Sequence, residues 1–132
     1  MSLARIIDFP FIVDERGNLS FIEENKHVPF EIKRVFWLYD IPGKTTRGGH
    51  AFYNQEEVIV ALSGSFDVVV TLSNSEKITF HLSDPSKGLY LPKRTWRHME
   101  NFSTNACALH VSNLEYDASE YIRDFKQFEL LQ

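Results

Sequence analysis

Hydrophobic and polar positions along this chain alternate in short runs instead of recurring every three to four residues. Stretches rich in Val, Ile, Phe, Tyr and Thr are interrupted at Gly17, Pro29, Pro42-Gly43, Ser73-Asn74 and Pro85, the pattern of half-buried strands punctuated by turns. It predicts strands over residues 5–13, 19–24, 32–40, 48–53, 57–63, 65–72, 77–82, 88–91, 97–101 and 106–112. Short strands at such regular spacing imply an all-β sandwich or barrel. The apolar run 66–72, the polar link 73–75 and the run 76–80 predict a hairpin. Helical patterning is confined to the tail, 116–125, where Asp117 stands as an N-cap and Glu120, three residues on, as its capping-box partner. No repeat or linker-like segment interrupts the chain, so residues 1–132 read as one domain.

Composition narrows the picture. A chain of 132 residues with 43% hydrophobic and 24% charged residues can bury a full core without staples. Eleven Phe, five Tyr and two Trp make an aromatic content of 14%, which favours β-structure around an aromatic interior or pocket. Trp37, Trp96 and most of the Phe residues are expected in the core. Fourteen Lys and Arg against 18 Asp and Glu give a net charge of -4. The basic surplus that counterion release from nucleic acid requires is missing, so no nucleic-acid partner is expected. The one cysteine, Cys107, has no partner for an intrachain disulfide and lies in an apolar stretch, where a buried, inert thiol is expected. The opening residues are interrupted by Asp8 and Pro10 and fit neither a signal peptide nor a membrane span, which predicts a cytoplasmic protein with no membrane contact.

One stretch carries chemistry. His50, Glu57 and Gly64 fall at the spacing of the first cupin motif, H-x-H-x(3–4)-E-x(6)-G, but the position of its second histidine holds Phe52. Residues 92–101 resemble the second motif, P-x-G-x-x-H-x(3)-N, with Arg94 at the glycine and Arg97 at the histidine. Arginine cannot coordinate, and His50 with Glu57 supplies two donors where a transition metal needs three or four. A metal-free barrel is expected. His98, next to the ligand position, should face the other side of its strand, and His27, His81, His98 and His110 read as surface or packing histidines.

With these motifs placed, the chain resembles the nucleotide-sugar 3,4-ketoisomerases, small cupins acting on dTDP-4-keto-6-deoxyglucose on the way to 3-amino-3,6-dideoxy sugars of surface polysaccharides. The residues that carry the resemblance are Asp14-Glu15-Arg16-Gly17-Asn18-Leu19, Pro29 to Val35, Arg47-Gly48-Gly49-His50-Ala51, Leu62-Ser63-Gly64-Ser65, Gly88-Leu89-Tyr90, Thr95-Trp96-Arg97, Asn101-Phe102-Ser103 and the tail from Tyr116-Asp117 to Arg123-Asp124. The resemblance implies a cupin double-stranded β-helix, or jelly roll, with a short C-terminal helix. It also implies a homodimer with exchanged N-terminal strands, and no metal or organic cofactor. The family usually reads R-G-x-H-A-H-K with a Gln four residues after the Lys. This chain has Phe52 for the second histidine, Tyr53 for the Lys and Glu57 for the Gln.

Moving a ketone from C4 to C3 requires a base beside the C3 hydrogen, donors for the developing oxyanion and exclusion of water. His50 has a suitable ordinary pKa of about 6.5. Arg47 and Arg97 are permanently charged donors for the oxyanion or the diphosphate. Glu57, at a barrel-facing position, or a tyrosine is a candidate relay for the hydroxyl protons. Arg16 and Tyr39 are taken as substrate contacts from the matching family segments, and Phe52 as an apolar wall against the sugar. An acidic protein binding a diphosphate needs a local cationic pocket, for which Arg16, Arg47, Arg94 and Arg97 are available. Three readings compete: a 3,5-epimerase of the same sugar, a non-catalytic sugar-nucleotide-binding cupin, and a metal-dependent dioxygenase-type cupin.

Overall fold

The computed structural model describes residues 3–132. Strands β1 (Arg5–Asp8), β2 (Phe11–Ile12), β3 (Leu19–Ser20), β4 (Arg34–Leu38), β5 (Arg47–Phe52), β6 (Glu57–Ser63), β7 (Phe66–Thr71), β8 (Lys77–Leu82), β9 (Lys87–Leu91), β10 (Trp96–Glu100) and β11 (Cys107–Ser112) are followed by a 3-10 turn at Ala118–Glu120. Strand β12 (Tyr121–Ile122) and helix α1 (Phe125–Leu130) end the chain. Two antiparallel five-stranded sheets, ordered β1-β9-β6-β11-β4 and β12-β5-β10-β7-β8, face one another, and β2 with β3 forms a separate ribbon. This is the jelly roll that the resemblance implied, and it meets the sandwich or barrel that the alternation predicted.

Period-two alternation decides what lies between the sheets. Ile59 and Ala61 of β6, Leu89 and Leu91 of β9 and Ala108 of β11 meet Phe66, Val68 and Val70 of β7, Leu82 of β8 and Met99 of β10 in the central core. The alternate residues Val58, Val60, Tyr90 and Val111 face outward under Phe9, Val28 and Phe30. Strand β6 is therefore buried on both faces over Glu57–Ala61, which is why it reads as an unbroken apolar run. On the outer face of the second sheet, Ala51 lies under Ile122 and Phe128, with Trp96 and Phe125 alongside. The hairpin of β7 and β8 runs in register from Phe66 opposite Leu82 to Thr71 opposite Lys77.

Several expectations change. The strand expected over 5–13 stops at Asp8: Phe9 N–H makes one more bond in the same register, to Ser86 O at 2.8 Å, and Pro10 has no N–H to continue it. Of 19–24 only Leu19–Ser20 is strand, because Glu23 and the His27 ring, 2.8 Å from the Glu23 amide, close a turn. The tail is not one helix. Asp117 caps as expected, accepting from the Ser119 amide, but the Glu120 carboxylate accepts from the Asn54 and Gln55 amides and closes no box on Asp117. Tyr121–Ile122 then joins the edge of β5, and the helix begins one segment later, capped by Asp124. Trp37, expected inside, is 55% exposed because it lies on edge strand β4 and points away from the core. Cys107 is free and half-buried.

The β6–β7 turn hinges on Gly64, whose φ is +65°. A Cβ there would lie 2.5 Å from Ser103 Oγ and 2.8 Å from Ala106 Cα. Gly64→Ala thus combines left-handed strain with overpacking, and is expected to cost about 2–4 kcal/mol, read as a lowered urea midpoint at unchanged m-value.

Candidate functional site

Between the two sheets, at the end of the barrel where β5, β6, β10 and β11 approach, lies a cavity of about 240 Å³. Arg47, Gly48, His50 and Phe52 of β5, Glu57 and Ile59 of β6, Arg97 and Met99 of β10 and His110 of β11 line it. Phe36 and Leu38 of β4, with Tyr121 and Arg123 from the tail, complete the wall.

Local backbone chemistry aims these side chains. Opposite β10, Arg97 pairs with His50 but His98 pairs with Gly48, so Gly49 is the extra residue of a bulge. Gly48 and Gly49 have φ of +93° and +78°, and a Cβ on Gly48 would sit 3.1 Å from His98 Cα. The paired glycines let β5 bend against β10 and turn His50 inward. From there alternation sends Phe52 into the same cavity and Tyr53 to the opposite face, beside α1. On β10 it sends Arg97 inward and His98 outward, where His98 meets Glu100 at 2.8 Å.

Arg97, 2% exposed, and Glu57 form a buried ion pair, Nη1 to Oε1 2.6 Å, that bridges the two sheets. Arg97 Nε donates to Thr95 O at 3.0 Å, its guanidinium lies 4.9 Å over the Phe52 ring, and Nη2 has no partner. Gln55 donates to the second Glu57 oxygen at 3.3 Å. Burial by itself would raise the Glu57 pKa, but the Arg97 guanidinium and then His110 outweigh it and hold the carboxyl at about 2. His50 packs edge-on against Phe52 at 4.8 Å and Tyr121 at 5.0 Å. Burial, seconded by the Arg97 charge and opposed by Glu57, pushes its pKa down to about 3. At neutral pH the site therefore presents an ionised Glu57 and a neutral His50 with a free lone pair.

Of the residues singled out from sequence, His50, Arg47, Glu57, Phe52 and Arg97 come together around this cavity. Arg16, Tyr39 and Arg94 do not line it. Arg16 is held by Asp14 at 2.9 Å with its side chain 87% exposed, Tyr39 is exposed beyond the end of β4, and Arg94 reaches back to Tyr53 O at 3.4 Å. Sequence reasoning missed Arg123 and Tyr121, placed in the tail only as family markers, and His110, read as packing or surface. His110 is 5% exposed and lines the cavity. Its signal was parity: on β11 it shares the inward face with Ala108. Among the described residues no group of three or more His, Cys, Asp or Glu is placed to hold a metal ion, and no helix is long and apolar enough to cross a membrane.

Removing one partner of a buried pair strands the other charge. Arg97→Met and Glu57→Gln are each expected to cost about 3–5 kcal/mol in urea unfolding, and the double variant clearly less than the sum of the two.

The comparisons with known proteins agree along the whole chain. Residues 2–132 match the family described as FdtA: WxcM-like, C-terminal. A TDP-4-oxo-6-deoxy-alpha-D-glucose-3,4-oxoisomerase from Aneurinibacillus thermoaerophilus is 39% identical over 126 residues, 95% of this chain and 89% of that one. The structure of a TDP-quinovose 3,4-ketoisomerase, WlaRB from Campylobacter jejuni, superposes with a TM-score of 0.92 at 38% identity, covering 98% of this chain and 99% of that chain. A 3,4-ketoisomerase from Helicobacter canadensis does so with a TM-score of 0.92 at 35% identity, covering 97% and 96%. With its jelly roll, its inward His50 and its match from end to end, the chain belongs to the FdtA, WxcM-like C-terminal family of sugar 3,4-ketoisomerases.

Proposed function

We propose that this protein isomerises TDP-4-keto-6-deoxyglucose, moving the oxo group from C4 to C3 through an enediol or enediolate, and so prepares the sugar for amination at C3 on the way to surface polysaccharides. The observation that carries the reading is the neutral imidazole of His50 inside a cavity walled by Phe36, Leu38, Phe52 and Met99 and bearing Arg47 and Arg123. Neither arginine has an ion-pair partner among the described residues; Arg123 rests on the Tyr121 ring at 4.4 Å. At about 240 Å³ the cavity is below the ~300–1,000 Å³ of sites that enclose drug-sized ligands. It has room for the deoxyhexose ring, and the diphosphate meets the two rim arginines.

In this reading His50 takes the C3 proton and returns a proton to C4 on the same face. The charge that grows on O4 is met by Arg47 and by the unpartnered Nη2 of Arg97, a donor worth about 3–4 kcal/mol where it is well aimed. Glu57 is the anionic anchor that holds Arg97 in place. With its carboxyl held at about 2, it carries no proton to relay. Phe52, Phe36, Leu38 and Met99 form the apolar wall against the 6-deoxy methyl. Arg16 and Tyr39 lie outside this cavity and would reach substrate only from a second copy of the chain.

We also propose a homodimer. The outer face of the first sheet, with the ribbon beside it, exposes Phe11, Ile12, Val13, Leu19, Val35, Trp37 and Leu62. It contains an apolar groove of about 310 Å³ lined by Phe9, Phe21, Ile22, Ile32 and Leu109 among others. A continuous apolar face of that kind is the mark of an association surface. A second copy of the chain suits it, since exchange of β1 onto the partner's β9 would reuse the antiparallel register seen here from Arg5 opposite Tyr90 to Asp8 opposite Lys87. The free Cys107 suits a reducing, cytoplasmic compartment.

Proton NMR of TDP-4-keto-6-deoxyglucose incubated with the protein in D₂O is expected to show the 3-keto isomer. His50→Asn should lower the rate on the order of 10²–10⁴-fold. Label and inversion at C3 and C5 would indicate an epimerase, and an unchanged sugar would indicate a binding protein. Sedimentation equilibrium is expected to give twice the chain mass, and Trp37→Lys with Val35→Glu to give the monomer.

A further inference from the structure

The isomerisation relocates two hydrogens. One moves from C3 to C4, and the other, bound to oxygen, moves from O3 to O4. An imidazole that already holds the carbon-bound proton cannot also hold the second. The cavity must supply another group that both gives and takes a proton near neutral pH.

Its ionisable side chains leave one candidate. Arg47, Arg97 and Arg123 are guanidiniums that do not deprotonate. Glu57 is committed to Arg97 at 2.6 Å, and the Tyr121 ring is packed against His50 and Phe52 with the Arg123 guanidinium over it. His110 remains. Its ring lies flat on Phe36, centroids 4.4 Å apart and planes at 15°, while the guanidinium of Arg34 covers the same Phe36 ring at 4.3 Å. Nδ1 lies 3.4 Å from Glu57 Oε1, an ionic approach without hydrogen-bond alignment. Both ring nitrogens are buried and lack a hydrogen-bond partner.

A histidine kept only for packing is costly here. Two buried, unpaired polar atoms penalise folding, and an apolar ring would stack on Phe36 equally well. No hydrogen bond fixes the ring's tautomer or its orientation. A half-turn about Cβ–Cγ keeps the ring plane on Phe36 and exchanges the edges that bear nitrogen and carbon. The titratable and charged groups that face it are Glu57 from β6, Arg97 from β10, His50 from β5 and, stacked on Phe36, Arg34 from β4. Of these only Glu57 is anionic, its Oε1 3.4 Å from Nδ1.

We propose that His110 is the second acid/base residue of this site, carrying the oxygen-bound proton while His50 carries the carbon-bound one. The inference rests on the ketoisomerase reading above. The step begins with neutral His50 and the imidazolium of His110. His50 takes the C3 proton, the C3–H electron pair becomes the C3–C4 double bond, and the carbonyl π pair moves to O4, where Arg47 and Arg97 hold the charge until, in a second step, O4 takes the proton of His110. The enediol then collapses. His110 takes back a proton from the C3 hydroxyl, the new carbonyl forms at C3, and the imidazolium of His50 protonates C4. Both histidines end as they began, and no external oxidant or reductant enters. This chain thus keeps two histidines in the cavity although position 52 is phenylalanine, the second one having come from the facing sheet.

The test uses His110→Phe, which keeps a ring on Phe36, and His110→Gln, which keeps polarity without titration, in the same D₂O reaction. Melting temperatures no lower than wild type identify folded variants, and the Gln variant serves if the Phe variant does not fold. The expected result is product formation reduced about 10²–10⁴-fold at a KM within threefold of wild type. Exchange of the C3 hydrogen of unreacted substrate should persist at a tenth of the wild-type rate or more, because His50 is intact. Turnover within threefold of wild type, or loss of C3 exchange in step with product, overturns the role of His110 and leaves the reaction standing. A wild-type protein that forms no 3-keto product overturns the reaction and this inference with it.

Discussion

The buried ion pair between Glu57 and Arg97 is the constraint on which the rest of the site depends. It joins the middle of one sheet to the middle of the other, with both side chains almost fully withdrawn from solvent. Two charges withdrawn from water are tolerated only when they are close and well supported. Support comes from Gln55, from the Thr95 carbonyl and from the face of Phe52. The pair sets the charge of the cavity floor near zero, which leaves the sign of the site to the arginines on the rim. The His50 lone pair is kept free chiefly by burial, to which Arg97 adds and which Glu57 opposes. Phe52 belongs to this arrangement, since an apolar ring beneath a guanidinium suits a cation already neutralised by a carboxylate.

Metal-binding jelly rolls and this one use the same strand positions for different ends. Position 50 keeps the imidazole and position 57 the carboxylate, but position 97 brings a cation to the place where a ligand would stand. A carboxylate engaged by a guanidinium at 2.6 Å has little left to offer a metal. The substitution of Arg97 therefore changes the chemistry of Glu57 without touching it in sequence. The same coupling makes the two residues a unit, so the effect of altering either depends on the state of the other.

Much of the fold was legible because β-strands advertise their faces. The spacing of the two cupin motifs marked His50, Phe52, Glu57 and Arg97 as site positions before any coordinates, alternation turned His98 to the other face, and the polar link at 73–75 marked the hairpin. Where the reading failed, a tertiary contact had overridden a local preference. Asp117 and Glu120 spell a capping box, yet two free amides at Asn54 and Gln55 offered Glu120 better partners, and Tyr121 gained a strand edge. His110 was overlooked because a lone histidine in an apolar run looks like filler; only the facing of β11 against Glu57 shows that it shares the cavity. Arg16 and Tyr39 carry no periodic signal, and a single chain gives them no place at this site.

The way the tail closes the cavity bears on the order in which the molecule is made. Tyr121 reaches its place by pairing with Phe52, a partner separated from it in sequence by most of the barrel, and Glu120 ties down the segment between β5 and β6. Contacts of such long sequence separation form late, after the loop they close has been drawn in. A chain whose other strands have paired but whose tail has not docked still has a cavity open on one side. The wall beside His50 is completed by the tail and is lost when the tail lets go.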